Sequence, residues 1–249
     1  MSDAAVLGCR VDPIDAQEAI EKIRGFVREP TPSLIVTLGT EMIVRAQRDD
    51  RFRAVVNASA LSLCDTVGVM FAARLGGARI RERVAGVDLI EPLCRVFARD
   101  GTPVYLLGSK GDTAERAARM LRAQYPGLAI VGVRDGYFAA SEAAAVAAAV
   151  ARSGARVLFA GLGSPRQELW LADHLKETGC SVGIGIGGSL DVLAGNVPRA
   201  PALWRRAHAE WLYRLLREPR RWRRQLALPH FVWLVLRDRP HAAAPRRSL

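Results

Sequence analysis

The sequence predicts an α/β fold, with a largely parallel sheet covered by helices on both faces and a basic helical C-terminal appendage. Two observations predict the sheet. Short apolar runs alternate with stretches of helical length between residues 33 and 186, the order expected of successive β-α-β units. Those runs are apolar almost throughout, as strands buried on both faces must be. A third observation predicts the appendage: Pro198 and Pro201 break the chain before a block rich in Arg and Trp. We therefore divide the chain into a domain over 1–195 and an appendage over 196–249.

Taken in order, Asp15 and Glu18 form a capping pair before a helix whose Ala19, Ile20, Ile23, Phe26 and Val27 share one face. Ser33 to Leu38 reads as a buried strand, followed by helices near Glu41 to Gln47 and Arg51 to Ala58. Leu61 to Cys64 is a short strand ending at Asp65, and Val67 to Leu75 is helical. After a charged stretch, Arg79 to Arg83, a helix from about Val87 to Ala98 leads into a clear alternation. Strands Val104 to Leu107, Ala129 to Val133, Val157 to Ala160 and Ser181 to Ile186 are separated by helices Thr113 to Gln124, Glu142 to Ala151 and one ending near Thr178. Ligands of such sheets bind beyond the carboxyl ends of the strands. Thr37, Asp65, Gly108, Tyr137, Gly163 and Asp191 fall at those ends.

The chain has 249 residues, half of them hydrophobic, enough for a sizeable core. No cationic leader and no apolar run of membrane-spanning length is present, so a cytoplasmic location is expected. The four cysteines show no paired spacing and the four histidines cluster with none of them, so neither a disulfide framework nor a zinc site is indicated. The formal net charge is +11, and from Arg205 onward twelve arginines stand against three acids. Trp204, Trp211, Tyr213, Trp222 and Trp233 accompany them. Such a block suits an anionic surface: lipid headgroups, nucleic acid or a diphosphate.

The most informative motif is GLGSPRQELW, Gly161 to Trp170, a turn between a strand and a helix. Its small residues let a backbone approach a ligand, and N–H groups at the helix start suit a diphosphate. Gln167 and Glu168 follow where polar side chains can orient a ligand. The turn LLGSKGD, Leu106 to Asp112, offers Gly108 to a phosphate or ribose. Asp65 is an acid at a strand end, placed to accept a proton in a cleft or, alternatively, to cap the helix from Val67. No P-loop and no D-x-D pair occurs, so neither of the usual devices for holding phosphate or its metal is available.

The ordered set of motifs resembles the WecG/TagA/CpsF family of bacterial glycosyltransferases over nearly the whole length. Its carriers are Thr37 with Glu41, Asp65 with Gly68, RVAGVDL from Arg83 to Leu89, YLLGSKG, and GYF from Gly136 to Phe138. GLGSPRQELW, GGSLDVLAG, PRAP and EWLYRLLREPRRWRR complete them. The resemblance implies a Rossmann-like catalytic domain that moves a sugar, with inversion and without metal or cofactor, from a UDP-sugar to a polyprenyl-diphosphate-linked sugar at the inner membrane face. It further implies Asp65 as general base, Thr37 and Gln167 positioning the sugars, and Arg83 facing the diphosphate. From the residues themselves, Gly136 and Gly163 are placed at the nucleotide, with Tyr137 as a stacking face and Asp191 as an acceptor for ribose or base N–H groups; a structural role is an equal alternative for Tyr137 and Asp191. Arg214, Arg221 and Arg224 stand at the family's appendage positions.

One departure matters: where the family carries T-x-N, this chain has Thr37, Leu38, Gly39. Loss of that amide implies a donor without an acetamido group. The appendage should also present an amphipathic helix, with Leu203, Trp204, Ala207, Trp211, Leu212, Leu215 and Leu216 on one face, to an anionic membrane. Homo-oligomerisation is left open. Two other readings compete: a basic nucleic-acid-binding protein, which has no recognisable binding motif, and a dinucleotide-dependent oxidoreductase. For the latter, Gly183, Gly185 and Gly188 have the spacing but lie inside a strand.

Overall fold

The structure, a computed structural model, describes residues 4–199, 201, 204, 213 and 227–238. It opens with a small antiparallel hairpin, β1 (Ala4–Val6) and β2 (Cys9–Val11). The sequence reading missed it, because the strands are too short to show a period and the turn is Leu7-Gly8, both with positive φ, instead of an Asn-Gly signal.

The main sheet has six strands, β3 (Ser33–Leu38), β4 (Leu61–Cys64), β5 (Val104–Gly108), β6 (Ile130–Arg134), β7 (Val157–Gly161) and β8 (Val182–Gly185). All pair in parallel, in the order β4-β3-β8-β7-β5-β6. The helices between them are α1 (Ala16–Phe26), α2 (Thr40–Ala46), α3 (Asp50–Ala58), α4 (Val67–Leu75), α5 (Gly86–Asp100), α6 (Thr113–Gln124), α7 (Ala143–Arg152), α8 (Arg166–His174) and α9 (Ser189–Leu193). α1 is closed by the capping box expected at Asp15 and Glu18. α9 was not expected, so Asp191 lies in a short helix and not at a strand end. The helix before β8 stops at His174, short of the expected Thr178.

Period-two alternation along each strand serves both faces. Ile35, Leu61, Leu63, Val104, Leu106, Val157 and Phe159 point to one side, where α1, α5, α6 and α9 cover them. Val36, Leu38 and Cys64 point to the other, beneath α2, α3 and α4, and Tyr105, Leu107, Leu158 and Ala160 lie there against α7 and α8. Gly183 and Gly185 belong to this second face. A Cβ at Gly183 would stand 2.8 Å from Leu171 Cδ2, and one at Gly185 2.7 Å from Gln167 Nε2. These glycines bring α8 close to β8, which removes the oxidoreductase reading of their spacing.

The chain leaves β5 toward β6 and leaves β7 toward β8, so the crevice between β5 and β7 is a topological switch point, the usual ligand position in such sheets. A C-terminal helix, Ala227–Arg237, lies on α2 and buries Phe231 among Met42, Ile43 and Val69. Most of the expected amphipathic helix, together with Arg214, Arg221 and Arg224, lies outside the described residues. Among the described residues no helix is long and apolar enough to cross a membrane.

Candidate active site

Asp65 follows the last residue of β4 and is half-buried at the carboxyl edge of the sheet. The segment Arg83 to Gly86 runs beside it: Val84 N–H donates to Cys64 O at 2.8 Å, and Gly86 N–H donates to Asp65 Oδ1 at 2.8 Å. The N-cap of α4 is Thr66, whose side chain makes no capping bond. Asp65 is thus oriented by the RVAG loop and not by the helix that follows it. Its Oδ2 lies on the Gly39 side, 4.0 Å from where a Cβ on Gly39 would stand.

Thr37, on β3, shares this face of the sheet. Its hydroxyl donates to Gly185 O at 3.0 Å, and its Cγ2 stands 3.1 Å from where a Cβ on Gly86 would be. Glycine at 86 therefore lets the start of α5 pack directly on Thr37, which sets the position of the N–H that holds Asp65. Arg83 donates to Asp88 at 3.2 Å, and Arg199 pairs with the same carboxylate. Two guanidiniums thus converge on one acid close to Asp65. Asp88 and Arg199 escaped the sequence reading because each is an ordinary surface charge until the fold joins residues 83–88 to 199.

Gln167 occupies the opposite face. It is 2% exposed; its Oε1 accepts from Gly187 N–H at 3.0 Å and its Nε2 donates to Glu168 Oε1 at 2.7 Å. Thr37 and Gln167 thus meet at Gly185 from two sides, one through the carbonyl and one against Cα. Gln167 ties α8 to the loop after β8, so the structure separates it from the Asp65 face. Glu168 is fully buried, and burial pushes its carboxyl upward. An acid whose folded pKa is raised binds its proton more tightly in the native state, so the stability it supports is complete at low pH. That stability is lost as pH rises from the ordinary glutamate range through the raised value. Glu168→Gln keeps the acceptor for Gln167 and removes the ionisation. We expect it to raise Tm by several degrees at pH 8 and to change it little at pH 5, measured by calorimetry; equal shifts at both pH values would contradict this assignment.

At the β5/β7 crevice three glycine backbones stack. A Cβ on Gly108, whose φ is +150°, would stand 2.5 Å from Gly161 O, and one on Gly136 would be 3.1 Å from Gly108 Cα. Ser109 continues the turn with φ 56°, and its hydroxyl donates to Asp191 Oδ2 at 2.9 Å. Asp191 Oδ1 accepts from Asn196 Nδ2, which also reaches Thr113. Asp191 therefore braces the LLGSKGD turn against α9. Tyr137 is 71% exposed, with the Lys110 ammonium 6.0 Å from its ring centre. Gly163 has φ +78°, and a side chain there would meet nothing within 4 Å. Arg166 was not singled out by sequence. It donates to Gly136 O and Phe138 O, both at 2.8 Å, and its guanidinium lies over the Phe138 ring. It clamps the GYF segment onto the GLGSPR turn, and only its place in that motif could have marked it.

The arrangement has two parts along one edge. Asp65, Thr37 and Arg83 gather at β3 and β4, with Asp88 and Arg199 joined to Arg83; Gly108, Gly136, Tyr137, Gly163 and Asp191 gather at the switch point. β8 runs between them. Among the described residues no three His, Cys, Asp or Glu side chains come together as a metal site.

Comparison with known proteins assigns the chain to a family. The family model described as "Glycosyl transferase WecG/TagA/CpsF family" matches residues 4–244. An N-acetylglucosaminyldiphosphoundecaprenol N-acetyl-beta-D-mannosaminyltransferase of Bacillus spizizenii is 34% identical over 213 residues, 86% of this chain and 82% of its own length. A protein of the same name from Bacillus subtilis strain 168 is 32% identical over 213 residues, again 86% and 82% of the two chains. The chain is a glycosyltransferase and belongs to the WecG/TagA/CpsF family.

Proposed function

We propose that this enzyme transfers a sugar from a UDP-sugar to a polyprenyl-diphosphate-linked sugar, with inversion, using Asp65 as general base. The relatives act, by name, on a diphosphoundecaprenol-linked N-acetylglucosamine, which supports an acceptor of that class. In one displacement the acceptor hydroxyl attacks the anomeric carbon, its proton passes to the Asp65 carboxylate, and the bond to UDP breaks on the opposite side. The observation that carries the reading is the pairing of a carboxylate fixed by Gly86 N–H with the Arg83–Asp88–Arg199 cluster beside it.

The leaving UDP gains negative charge, and fixed cations and peptide N–H groups are the donors we assign to it in place of a metal. Thr37 positions the sugars from the Asp65 face, whereas Gln167 acts through the loop it holds at Gly187. Gly108, Gly136, Tyr137, Gly163 and Asp191 serve the nucleotide at the switch point. The appendage from residue 196, with Arg214, Arg221 and Arg224, brings the enzyme to the inner face of the cell membrane and its arginines to the substrate diphosphate.

The donor follows from Gly39. Its φ is −100°, and a Cβ there would meet Thr66 Cγ2 at an ordinary 3.5 Å, so neither backbone nor packing demands glycine. A Cβ is accommodated beside Asp65 and the family's amide is absent there, which favours a donor without an acetamido group. The test is a transfer assay with a panel of UDP-sugars and a short-chain prenyl-diphosphate monosaccharide. Turnover with UDP-glucose or a UDP-uronic acid is expected to exceed that with UDP-N-acetylmannosamine; turnover with the latter alone would overturn the donor assignment, and none with any donor would overturn the reaction.

A further inference from the structure

We infer that α4 and the loop after it form a lipid-contacting surface of the catalytic domain itself, in addition to the appendage, and that its partner is an anionic bilayer. The inference rests on the acceptor class proposed above. An acceptor joined to its lipid through one sugar and a diphosphate holds the attacking hydroxyl close to the headgroups. Whatever surrounds Asp65 within that reach must face the membrane.

α4 begins two residues after Asp65 and has nine residues. At about 1.5 Å per residue the whole helix lies within about 15 Å of it along the chain. Phe71 and Leu75, one turn apart on one side of α4, are 58% and 72% exposed. An aromatic and an aliphatic side chain so placed on a soluble surface lose apolar hydration only if something covers them. The flanking charge says what does. Residues 74 to 83 carry four arginines and one acid, Glu82; Glu82 is engaged by the first N–H of α1, Arg81 lies 3.9 Å from Asp15 and Arg83 pairs with Asp88, which leaves Arg74 and Arg79 as the basic rim. Arg74 donates to the carbonyls of Ile80 and Arg81, which folds this basic loop back beside the end of α4. Apolar side chains rimmed by arginine match the acyl boundary and anionic headgroups of a bilayer.

The surface also adjoins the appendage. Gly68, in the first turn of α4, approaches Phe231 of the C-terminal helix, a Cβ there lying 3.7 Å from Phe231 Cε1. That helix turns Val232, Trp233 and Leu236 outward, and the Arg237 guanidinium lies over the Trp233 ring. Both elements thus offer apolar side chains beside arginine, and they meet at the same corner of the domain.

The experiment compares the full chain with the double variant Phe71→Ser, Leu75→Ser and, as an exposed apolar control on α6, Met120→Ser. Sedimentation with vesicles of phosphatidylglycerol and phosphatidylcholine reads membrane binding; transfer is assayed with a short-chain acceptor in solution and a long-chain acceptor in the same vesicles. The double variant is expected to lower vesicle partitioning about tenfold or more and to lower transfer to the long-chain acceptor in parallel, with transfer to the short-chain acceptor and Tm unchanged. Partitioning equal to that of the parent overturns the inference, as does a drop no larger than that of Met120→Ser, or an unchanged rate on vesicles. Pure phosphatidylcholine vesicles supply the charge arm: binding as strong as to the anionic mixture overturns the choice of an anionic partner. Asp65→Asn separates this inference from the catalytic reading, since it should lower transfer to both acceptors by about 10²–10⁴-fold and leave partitioning intact.

Discussion

Asp65→Asn is expected to lower the rate of sugar transfer by about 10²–10⁴-fold, the range usual for loss of a general base, and to leave UDP affinity within about twofold. The substitution is chosen because asparagine keeps the oxygen that accepts from Gly86 N–H at 2.8 Å, so the RVAG loop retains its anchor. What disappears is the ability to take a proton. If Asp65 only held the loop, asparagine would serve nearly as well and the rate would fall by less than about tenfold. Isothermal calorimetry with UDP and a steady-state transfer assay on one preparation decide between these outcomes. An effect on KM with kcat unchanged would reassign Asp65 to substrate positioning, because only an interaction made in the transition state lowers both kcat and kcat/KM. The adjacent thiol gives an independent check on the local field. Burial, with Asp65 adding to it, pushes the Cys64 thiol up to about 12, so alkylation of Cys64 should not account for any loss of activity near neutral pH.

The sheet was legible because its strands are short, apolar throughout and evenly separated by helical stretches; those features follow from burial on two faces. Asp65, Thr37 and the RVAG segment were legible as a set only through their order in the chain. Their contact depends on Gly86 packing against Thr37, which no local pattern encodes. What local reading could not supply was direction. Gln167 and Thr37 both stand near strand ends, yet one belongs to a helix on the second face and the other to the first face of β3. Ion pairs that link distant segments were equally silent: Asp88 and Arg199 lie 111 residues apart, and each looks solvated by itself. The hairpin at Leu7-Gly8 was lost for want of length, and Asp191 was misplaced because a five-residue helix carries too little periodicity to register.

Gly108→Ala should produce the largest stability loss of any single methyl addition considered at this edge, and the contrast with Gly163→Ala separates architecture from ligand space. At Gly108 the added carbon would stand 2.5 Å from Gly161 O and 2.6 Å from Gly161 Cα, against backbone that is itself held in the β5/β7 ladder. The strand cannot yield without breaking its register, and φ at +150° is unfavourable to alanine. We expect a cost of about 3–5 kcal/mol, a fall in Tm of about 10 °C or more, and loss of UDP binding with the crevice. At Gly163 the same methyl meets nothing within 4 Å, and only the left-handed φ of +78° opposes it, at about 1–2 kcal/mol. Gly163→Ala should therefore remain folded while weakening UDP binding if the nucleotide passes that turn. Melting curves and UDP titrations on the two variants form the measurement. A Gly108→Ala protein melting within about 2 °C of the parent would show that β5 and β7 can separate, and the switch-point crevice would then not be the rigid nucleotide seat assigned to it. Unchanged UDP affinity in Gly163→Ala would move the nucleotide away from the GLGSPR turn and toward Tyr137 and Lys110.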